Sequence, residues 1–83
     1  MKNKELLKKK ITYSSTHRGF KEMDLLLGSF VKMYLNKLNT SDLIDLHNLL
    51  MLEDEIIYEW YFKKKKVFIY KNKVCDLLRN FKL

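Results

Sequence analysis

The sequence predicts a small all-α protein, a single-domain bundle of about five short helices spanning residues 1–83. Two observations favour this class. Apolar residues recur every three to four positions over most of the chain, which is the spacing of one helix face. A chain of 83 residues buries only about 60% of the surface that it exposes when unfolded, which suits packed helices better than a deep catalytic cleft.

The first helix is expected over about residues 4–16. The hydroxyl side chains of Ser14, Ser15 and Thr16 compete for backbone hydrogen bonds, so this helix should fray or bend at its end. Gly19 then marks a junction, because glycine adopts a positive φ angle without steric penalty. The apolar positions of this helix are Leu6, Leu7 and Ile11.

The second helix is expected over about residues 20–38 and gives the strongest periodic signal in the chain. Gly28 lies inside it, where glycine costs about 1 kcal/mol relative to alanine, and this predicts the close approach of another helix or of a partner. The predicted core face consists of Phe20, Met23, Leu27, Phe30, Val31, Tyr34, Leu35 and Leu38.

Three further helices are expected over about residues 42–51, 53–62 and 71–81. Thr40 or Ser41 is the predicted N-cap of the first of these. The stretch 67–70 is rich in β-branched and aromatic residues but has no second strand to pair with, so we interpret it as an extended connector. The expected apolar contacts are Leu43, Leu46, Leu49, Leu50, Ile56, Ile57, Trp60, Tyr61, Val74, Leu77, Leu78 and Phe81, with Cys75 as a small core residue. The sequence leaves open whether Trp60 is core or an exposed anchor.

The outer side of the second helix is the candidate partner-binding surface. At about 100° per residue, Glu22, Leu25 and Ser29 point away from the core face. If the helical turn continues back to Arg18, all four residues form one outer stripe. The planar fork of arginine binds carboxylates and carbonyls well and favours a contact patch. The alternative is an ordinary surface Arg–Glu pair worth about 0.2–0.5 kcal/mol, and the residues alone do not decide between the two.

Two neighbouring residues belong to the same candidate surface. His17 either bonds a partner or is a solvated junction residue. Asp24 lies on the flank of the core face, where it either bonds the junction between the first two helices or remains partly solvated. His47 and the single cysteine form no metal-ligand pattern, and no nucleophile–base set or G-x-G-x-x-G loop is present.

The stretch from His17 to Phe30 resembles the signature of the succinate dehydrogenase flavinylation factors, called succinate dehydrogenase assembly factor 2 in mitochondria. That signature is R-G-x-x-E-x-D with F six residues later, followed downstream by a Leu pair, an acidic residue and Trp. The matching residues are Arg18, Gly19, Glu22, Asp24, Phe30, Leu49, Leu50, Asp54 and Trp60. The chain departs from the family at Ser14 and Ser15, where Arg is frequent, at Glu55, where Pro is common, and in its Lys-rich connector.

The resemblance implies an all-helical domain that binds the flavoprotein subunit of succinate dehydrogenase, or in some bacteria that of fumarate reductase. Such a factor promotes the covalent attachment of FAD to a histidine of that subunit by positioning it. The chain would then be an assembly factor and not an enzyme, with no stably bound cofactor of its own. By analogy Arg18, Gly19 and Glu22 form the contact centre, and the outer stripe adds Leu25.

The charge of the chain supports alternative functions. A net charge of +7 and a pI near 9.5, with lysine runs at 8–10 and 63–66, are compatible with a small nucleic-acid-binding or antitoxin-like protein. A membrane-surface module using residues 60–62 is another alternative. Because 15 of the 17 basic residues are lysine and alanine and proline are absent, the charge also fits AT-rich coding.

Following the resemblance rather than the charge, we expect the free protein to be a monomer that neither binds a nucleic acid nor inserts into a membrane. The single cysteine and the lack of a long apolar run indicate the bacterial cytoplasm, or the mitochondrial matrix if a presequence has been removed.

Overall fold

The computed structural model describes residues 2–66 and 69–83, and these fold as five α-helices without a strand. The helices are α1 (Lys2–Thr16), α2 (Lys21–Tyr34), α3 (Thr40–Leu50), α4 (Asp54–Tyr61) and α5 (Lys73–Asn80). The all-α class and the helix count are as predicted. None of the helices in the described residues has the length and apolarity required to cross a membrane.

The core forms where α1 packs on α2 and α3 while α5 closes on α3. The four leucines predicted to point inward from α3 are all buried. Trp60 is only 7% exposed, so it is a core residue and not an exposed anchor. The buried apolar residues are Ile11, Met23, Leu26, Leu27, Phe30, Val31, Leu38, Leu43, Leu46, Leu49, Leu50, Ile57, Trp60, Val74, Cys75 and Leu78.

The C-terminal end of α1 does not fray. The hydroxyl groups of Ser15 and Thr16 donate to the carbonyl oxygen of Thr12 at 2.9 and 3.1 Å. These bonds run back along the helix and satisfy the hydroxyl groups within it. The helix continues to Thr16, so the predicted fraying was wrong, and so was the inward placement of Leu6, which is 53% exposed.

The core face of α2 is shifted from the predicted one at its N-terminal end. Phe20 is 39% exposed, whereas Leu26, which the periodic pattern did not include, is fully buried. The reason is that Phe20 precedes the helix in an extended conformation, with φ −104° and ψ 136°. A step of about 100° per residue does not apply to a residue outside the helix. The helix also ends at Tyr34, four residues before the predicted end.

Asparagine side chains cap two of the helices. Oδ1 of Asn39 accepts a hydrogen bond of 2.8 Å from the backbone nitrogen of Asp42, so the N-cap of α3 is Asn39 and not Thr40 or Ser41. Asn72 caps α5 in the same way. Each cap satisfies a backbone donor that the first helical turn leaves unpaired.

Only part of the predicted connector 67–70 can be compared with the structure. Residues 67 and 68 lie outside the described residues. Ile69 and Tyr70 are half-buried, belong to neither helix nor strand, and pack against the core.

Gly28 marks the close approach of α1 to α2, as the sequence predicted. A Cβ atom built at Gly28 would lie 3.5 Å from Cγ2 of Thr16 and 4.0 Å from the carbonyl oxygen of Ser15. Both are ordinary van der Waals distances, so the site has room for a methyl group.

We therefore predict that Gly28→Ala raises the free energy of unfolding by up to about 1 kcal/mol, because alanine is the better helix former. Urea denaturation followed by circular dichroism measures the effect. Gly28→Leu, whose longer side chain would meet the end of α1, should instead destabilise the fold. A loss of stability in Gly28→Ala would contradict the space that we describe.

The thiol of Cys75 is buried between α3 and α5. Burial, followed by the nearby carboxylates of Asp76 and Asp45, raises the pKa of Cys75 from its ordinary value of 9.0 to about 11. The thiol is therefore protonated at neutral pH, and a protonated thiol is a poor nucleophile.

We predict that Cys75 in the folded protein reacts with iodoacetamide at pH 8 far more slowly than in urea. Since the folded-state pKa lies above the unfolded one, the free energy of unfolding should fall as the pH rises from about 9 through 11. Mass spectrometry of alkylated protein measures the first effect, and denaturation at several pH values measures the second. Equal labelling rates with and without urea would contradict the buried position.

Candidate functional site

The side chain of Arg18 points into the protein from the turn between α1 and α2, and only 8% of it is exposed. Its Nε donates to Oδ1 of Asp54 at 2.6 Å. Its Nη1 donates to the carbonyl oxygens of Ser14 at 3.1 Å and Leu50 at 2.7 Å, and its Nη2 donates to that of Leu52 at 3.0 Å. The guanidinium group thus joins the ends of α1 and α3 to the start of α4.

Each charge in this ion pair lies at a helix end of the opposite polarity. The carbonyl groups of Ser14 and Leu50 belong to the last turns of α1 and α3, which carry a partial negative charge and lack intrahelical donors. Asp54 is the first residue of α4, at the positive end of that helix. Arg18 and Asp54 therefore neutralise each other and also complement three helix termini.

Two carboxylates also hold the backbone of the turn. Oδ2 of Asp54 accepts a hydrogen bond of 2.7 Å from the nitrogen of Gly19. Oδ1 of Asp24 accepts one of 2.8 Å from the nitrogen of Arg18, which is the junction role that the sequence offered for Asp24 as one of two alternatives. Neither glycine has a positive φ angle, so the predicted reason for Gly19 was wrong. The backbone of Gly19 is instead exposed to solvent, and its nitrogen is held by the carboxylate of Asp54.

The predicted outer stripe is correct for its helical part and wrong for Arg18. Glu22, Leu25 and Ser29 are exposed on α2, and Leu25 is 54% exposed. The helix does not continue back to Arg18, because α2 begins at Lys21. The guanidinium group of Arg18 donates its hydrogen bonds to acceptors of its own chain and does not point outward.

His17 lies exposed at the edge of the turn. Its ring stacks on Tyr13 with a centroid distance of 3.8 Å. Its Nδ1 lies 2.8 Å from the carbonyl oxygen of Tyr13. These contacts orient the ring, and the side chain remains open to solvent.

The surface around the exposed Gly19 is acidic and aromatic, and we call it the corner face. It combines two shallow depressions that share Phe20 and Glu55, one of them with a volume of about 300 Å³. Phe20 packs edge-on against Tyr58 with a centroid distance of 5.9 Å. We define the corner face by the following exposed or half-exposed residues among those that line the depressions: His17, Gly19, Phe20, Glu22, Met51, Glu53, Glu55, Tyr58 and Glu59.

The corner face carries unpaired negative charge on a chain whose net charge is +7. Glu22, Glu53 and Glu55 make no ion pair with any described residue, and Glu59 has a partner in Lys65 at 3.5 Å. Sequence reasoning missed the contribution of α4 to this surface. The available signal was that Arg18 and Asp54 belong to one signature, although nothing in the sequence indicated that the two side chains touch.

No group of three or more His, Cys, Asp or Glu side chains in the described part of the chain is arranged to hold a metal ion.

We predict that Arg18→Ala and Asp54→Ala each lower the free energy of unfolding by about 3 kcal/mol, because each leaves a buried charge without its partner. The double variant should lose about 4 kcal/mol rather than the sum, since the second change removes a charge that is already unpaired. Urea denaturation of the four proteins gives the coupling free energy.

The matched control is Lys65→Gln, which removes the exposed pair with Glu59 and should change the free energy of unfolding by less than about 1 kcal/mol. Strictly additive losses in the Arg18 and Asp54 variants would show that the two residues do not act as a pair.

Comparison with known proteins relates the amino-acid sequence to one family. Residues 9–82 match the family model described as flavinator of succinate dehydrogenase. The chain is 46% identical over 63 residues to succinate dehydrogenase assembly factor 2, mitochondrial, of Dictyostelium discoideum, covering 76% of this chain and 45% of that protein. It is 38% identical over 63 residues to the protein of the same name from Scheffersomyces stipitis, covering 76% and 42%.

A third relative is the FAD assembly factor SdhE of Acetobacter pasteurianus, which is 29% identical over 55 residues, covering 66% of this chain and 50% of that protein. The matched part of the chain thus spans half or less of the length of these three relatives. No solved structure matches the chain significantly. With the family model covering the chain from residue 9 to residue 82, the chain belongs to the flavinator of succinate dehydrogenase family.

Proposed function

We propose that this protein promotes the covalent attachment of FAD to the flavoprotein subunit of succinate dehydrogenase, and that it docks on that subunit through the corner face. One observation carries the proposal. In a chain that belongs to the flavinator family, the Arg-Gly-x-x-Glu stretch folds into an exposed acidic and aromatic corner whose backbone is fixed from inside.

The fixed backbone favours docking because little conformational freedom is lost when the partner binds. Asp24 and Asp54 hold the nitrogens of Arg18 and Gly19 in place before any partner arrives. A surface ordered in advance loses less entropy on association than a mobile one. Arg18 and Asp24 therefore support the contact from inside.

The exposed residues make the contact itself. Gly19 presents a backbone without a side chain, so a partner can approach it closely. Phe20 offers an exposed ring, and the neighbouring glutamates, above all Glu22, favour a basic surface on the flavoprotein and orient the approach. Leu25 and His17 extend the contact on either side.

In this proposal the chain is an assembly factor and not an enzyme. The bond forms between FAD and the flavoprotein, and the chain contributes by holding the flavoprotein in a competent arrangement. It keeps no cofactor of its own.

The proposal has three finer parts. The flavoprotein of fumarate reductase is a second client, and the chain is a monomer when free. Two of the relatives described above are named mitochondrial, which favours the mitochondrial matrix over the bacterial cytoplasm as the site of action. Replacing the flavoprotein with that of fumarate reductase tests the second client. Light scattering on a sizing column tests the monomer, and microscopy of a tagged chain tests the site of action.

The decisive experiment is a reconstitution with purified flavoprotein that lacks covalent FAD. We expect the chain to accelerate attachment, measured as flavin fluorescence on the denatured flavoprotein band. Reversing the charge of the corner with Glu22→Lys and Glu55→Lys should slow attachment about tenfold or more, since repulsion between like charges disfavours the complex. Because both side chains are exposed, the variant should fold normally.

A control is Glu5→Lys, which reverses the charge of an exposed glutamate on α1 that forms no ion pair with the described residues. It should retain the activity of the unmodified chain. Attachment that proceeds equally fast without the chain would contradict the proposed function. Attachment that needs the chain but tolerates the charge reversal would instead contradict docking through the corner face.

A further inference from the structure

One of the two depressions of the corner face combines aromatic rings with carboxylates, and we call it the aromatic cleft. Its volume is about 300 Å³. Two of its five lining side chains are aromatic and the other three are acidic. The lining residues are Phe20, Glu22, Glu55, Tyr58 and Glu59.

The starts of two helices bring these residues together. Phe20 directly precedes α2, and Glu22 lies in the first turn of that helix. Glu55, Tyr58 and Glu59 occupy positions i, i+3 and i+4 of α4, which lie on one helix face. The rings of Phe20 and Tyr58 meet edge-on at an interplanar angle of 76°. This contact joins the two sides of the cleft.

Two of the three carboxylates in the cleft are not neutralised by the protein itself. Glu59 has a partner in Lys65 at 3.5 Å. Glu22 and Glu55 form no ion pair with any residue that the structure describes. The cleft therefore presents two negative charges to a ligand.

The ring of Phe20 is also left without a cation. Each of Tyr34, Tyr58, Trp60 and Tyr61 has a lysine or arginine of the chain over its ring, at 5.3–6.0 Å from the centroid. Within the described part of the chain, no cation lies over Phe20, which is 39% exposed. The face of an aromatic ring attracts cations, so this exposed ring adds to the attraction of the two carboxylates.

We propose that the aromatic cleft receives one arginine side chain of the flavoprotein. This inference rests on the proposed function, because it specifies what the corner face recognises. A guanidinium group is planar, so it can stack on an aromatic ring while its N–H groups donate to carboxylates. The ring of Phe20 and the carboxylates of Glu22 and Glu55 supply both kinds of contact within one cleft.

The size of the cleft favours a single side chain over an extended segment of the partner. Its volume of about 300 Å³ lies at the lower end of the range of small-ligand sites, about 300–1,000 Å³. Arginine fits better than lysine, because the ammonium group of lysine is compact and cannot stack on a ring. No three acidic groups of the described residues are arranged to hold a metal ion, which leaves an organic cation as the occupant.

Titration with blocked Gly-Arg-Gly peptide at low salt, followed by NMR of the Phe20 and Tyr58 rings, tests the inference. We expect saturable shifts with this peptide and none with the citrulline peptide, which has a neutral side chain of similar shape. The lysine peptide should bind at least about threefold more weakly, because it cannot stack.

Replacing the two unpaired carboxylates tests their part in binding. Glu22→Gln combined with Glu55→Gln should weaken binding of the arginine peptide at least about fivefold, since the unpaired charges of the cleft are lost. The matched control combines Glu5→Gln with Glu53→Gln. It removes the same charge from exposed glutamates that do not line the cleft, and the affinity should stay within about twofold.

Phe20→Leu tests the aromatic contact separately from the charge. Leucine keeps an apolar side chain at this exposed position but offers no ring face. This variant should bind the arginine and lysine peptides with affinities that agree within about twofold, because only arginine gains from stacking. Its midpoint of thermal unfolding shows that the fold is retained.

Competition links the cleft to the flavoprotein. An excess of arginine peptide should slow the attachment of FAD in the reconstitution, whereas the same concentration of lysine peptide, which matches the ionic strength, should slow it less. Attachment that proceeds equally fast without the chain would contradict the proposed function, whatever the peptides do. Attachment that needs the chain, together with any one of three results, would overturn the inference alone. These are the absence of saturable binding of the arginine peptide, equal binding of the citrulline peptide, and equal weakening by the cleft and control variants.

Discussion

The ion pair between Arg18 and Asp54 is the interaction on which the rest of the structure depends. Its 2.6 Å contact lies where α1 and α3 end and α4 begins, so one cation satisfies carbonyl groups from two helices while its counter-ion starts a third. A buried pair of this kind gains little over an apolar replacement, but it is costly to break. A domain of 83 residues has a small free energy of unfolding. The pair therefore helps to determine that the ends of α1 and α3 meet the start of α4.

The burial of Arg18 in this pair contributes to the acidic character of the corner face. The guanidinium group of Arg18 is buried, so the turn at 17–20 exposes no lysine or arginine side chain. The nearby Glu22, Glu53 and Glu55 form no ion pair with a described residue. The basic residues are spread over the chain, with one cluster beyond the other end of α4, beside Trp60, and another at 8–10 on α1. The acidic corner face thus lies on a chain whose net charge is +7, so the net charge does not describe this surface.

The sequence predicted the helices well because their signal is local. The leucines of α3 repeat at helical spacing, and all of those predicted to be inward are buried. Phe20 was misplaced because the start of α2 depends on a backbone conformation that periodicity does not encode. The orientation of Arg18 could not be predicted at all, since its acceptors Leu50 and Leu52 are 32 and 34 residues away. The family resemblance named Arg18 and Asp54 without indicating their contact.

The position of Arg18 changes how the signature should be understood. Its apolar residues Phe30, Leu49, Leu50 and Trp60 are buried in the core. The other residues divide into those that shape the corner, namely Arg18, Asp24 and Asp54, and those that the corner displays, namely Gly19 and Glu22. In the docking that we propose, replacing a residue of either group would weaken the complex, but through different quantities. The first group acts on the free energy of unfolding and the second on the affinity for the partner. An arginine in a recognition signature is therefore no evidence by itself of a contact with the partner, because a small fold needs its strongest hydrogen-bond donor wherever helix ends converge.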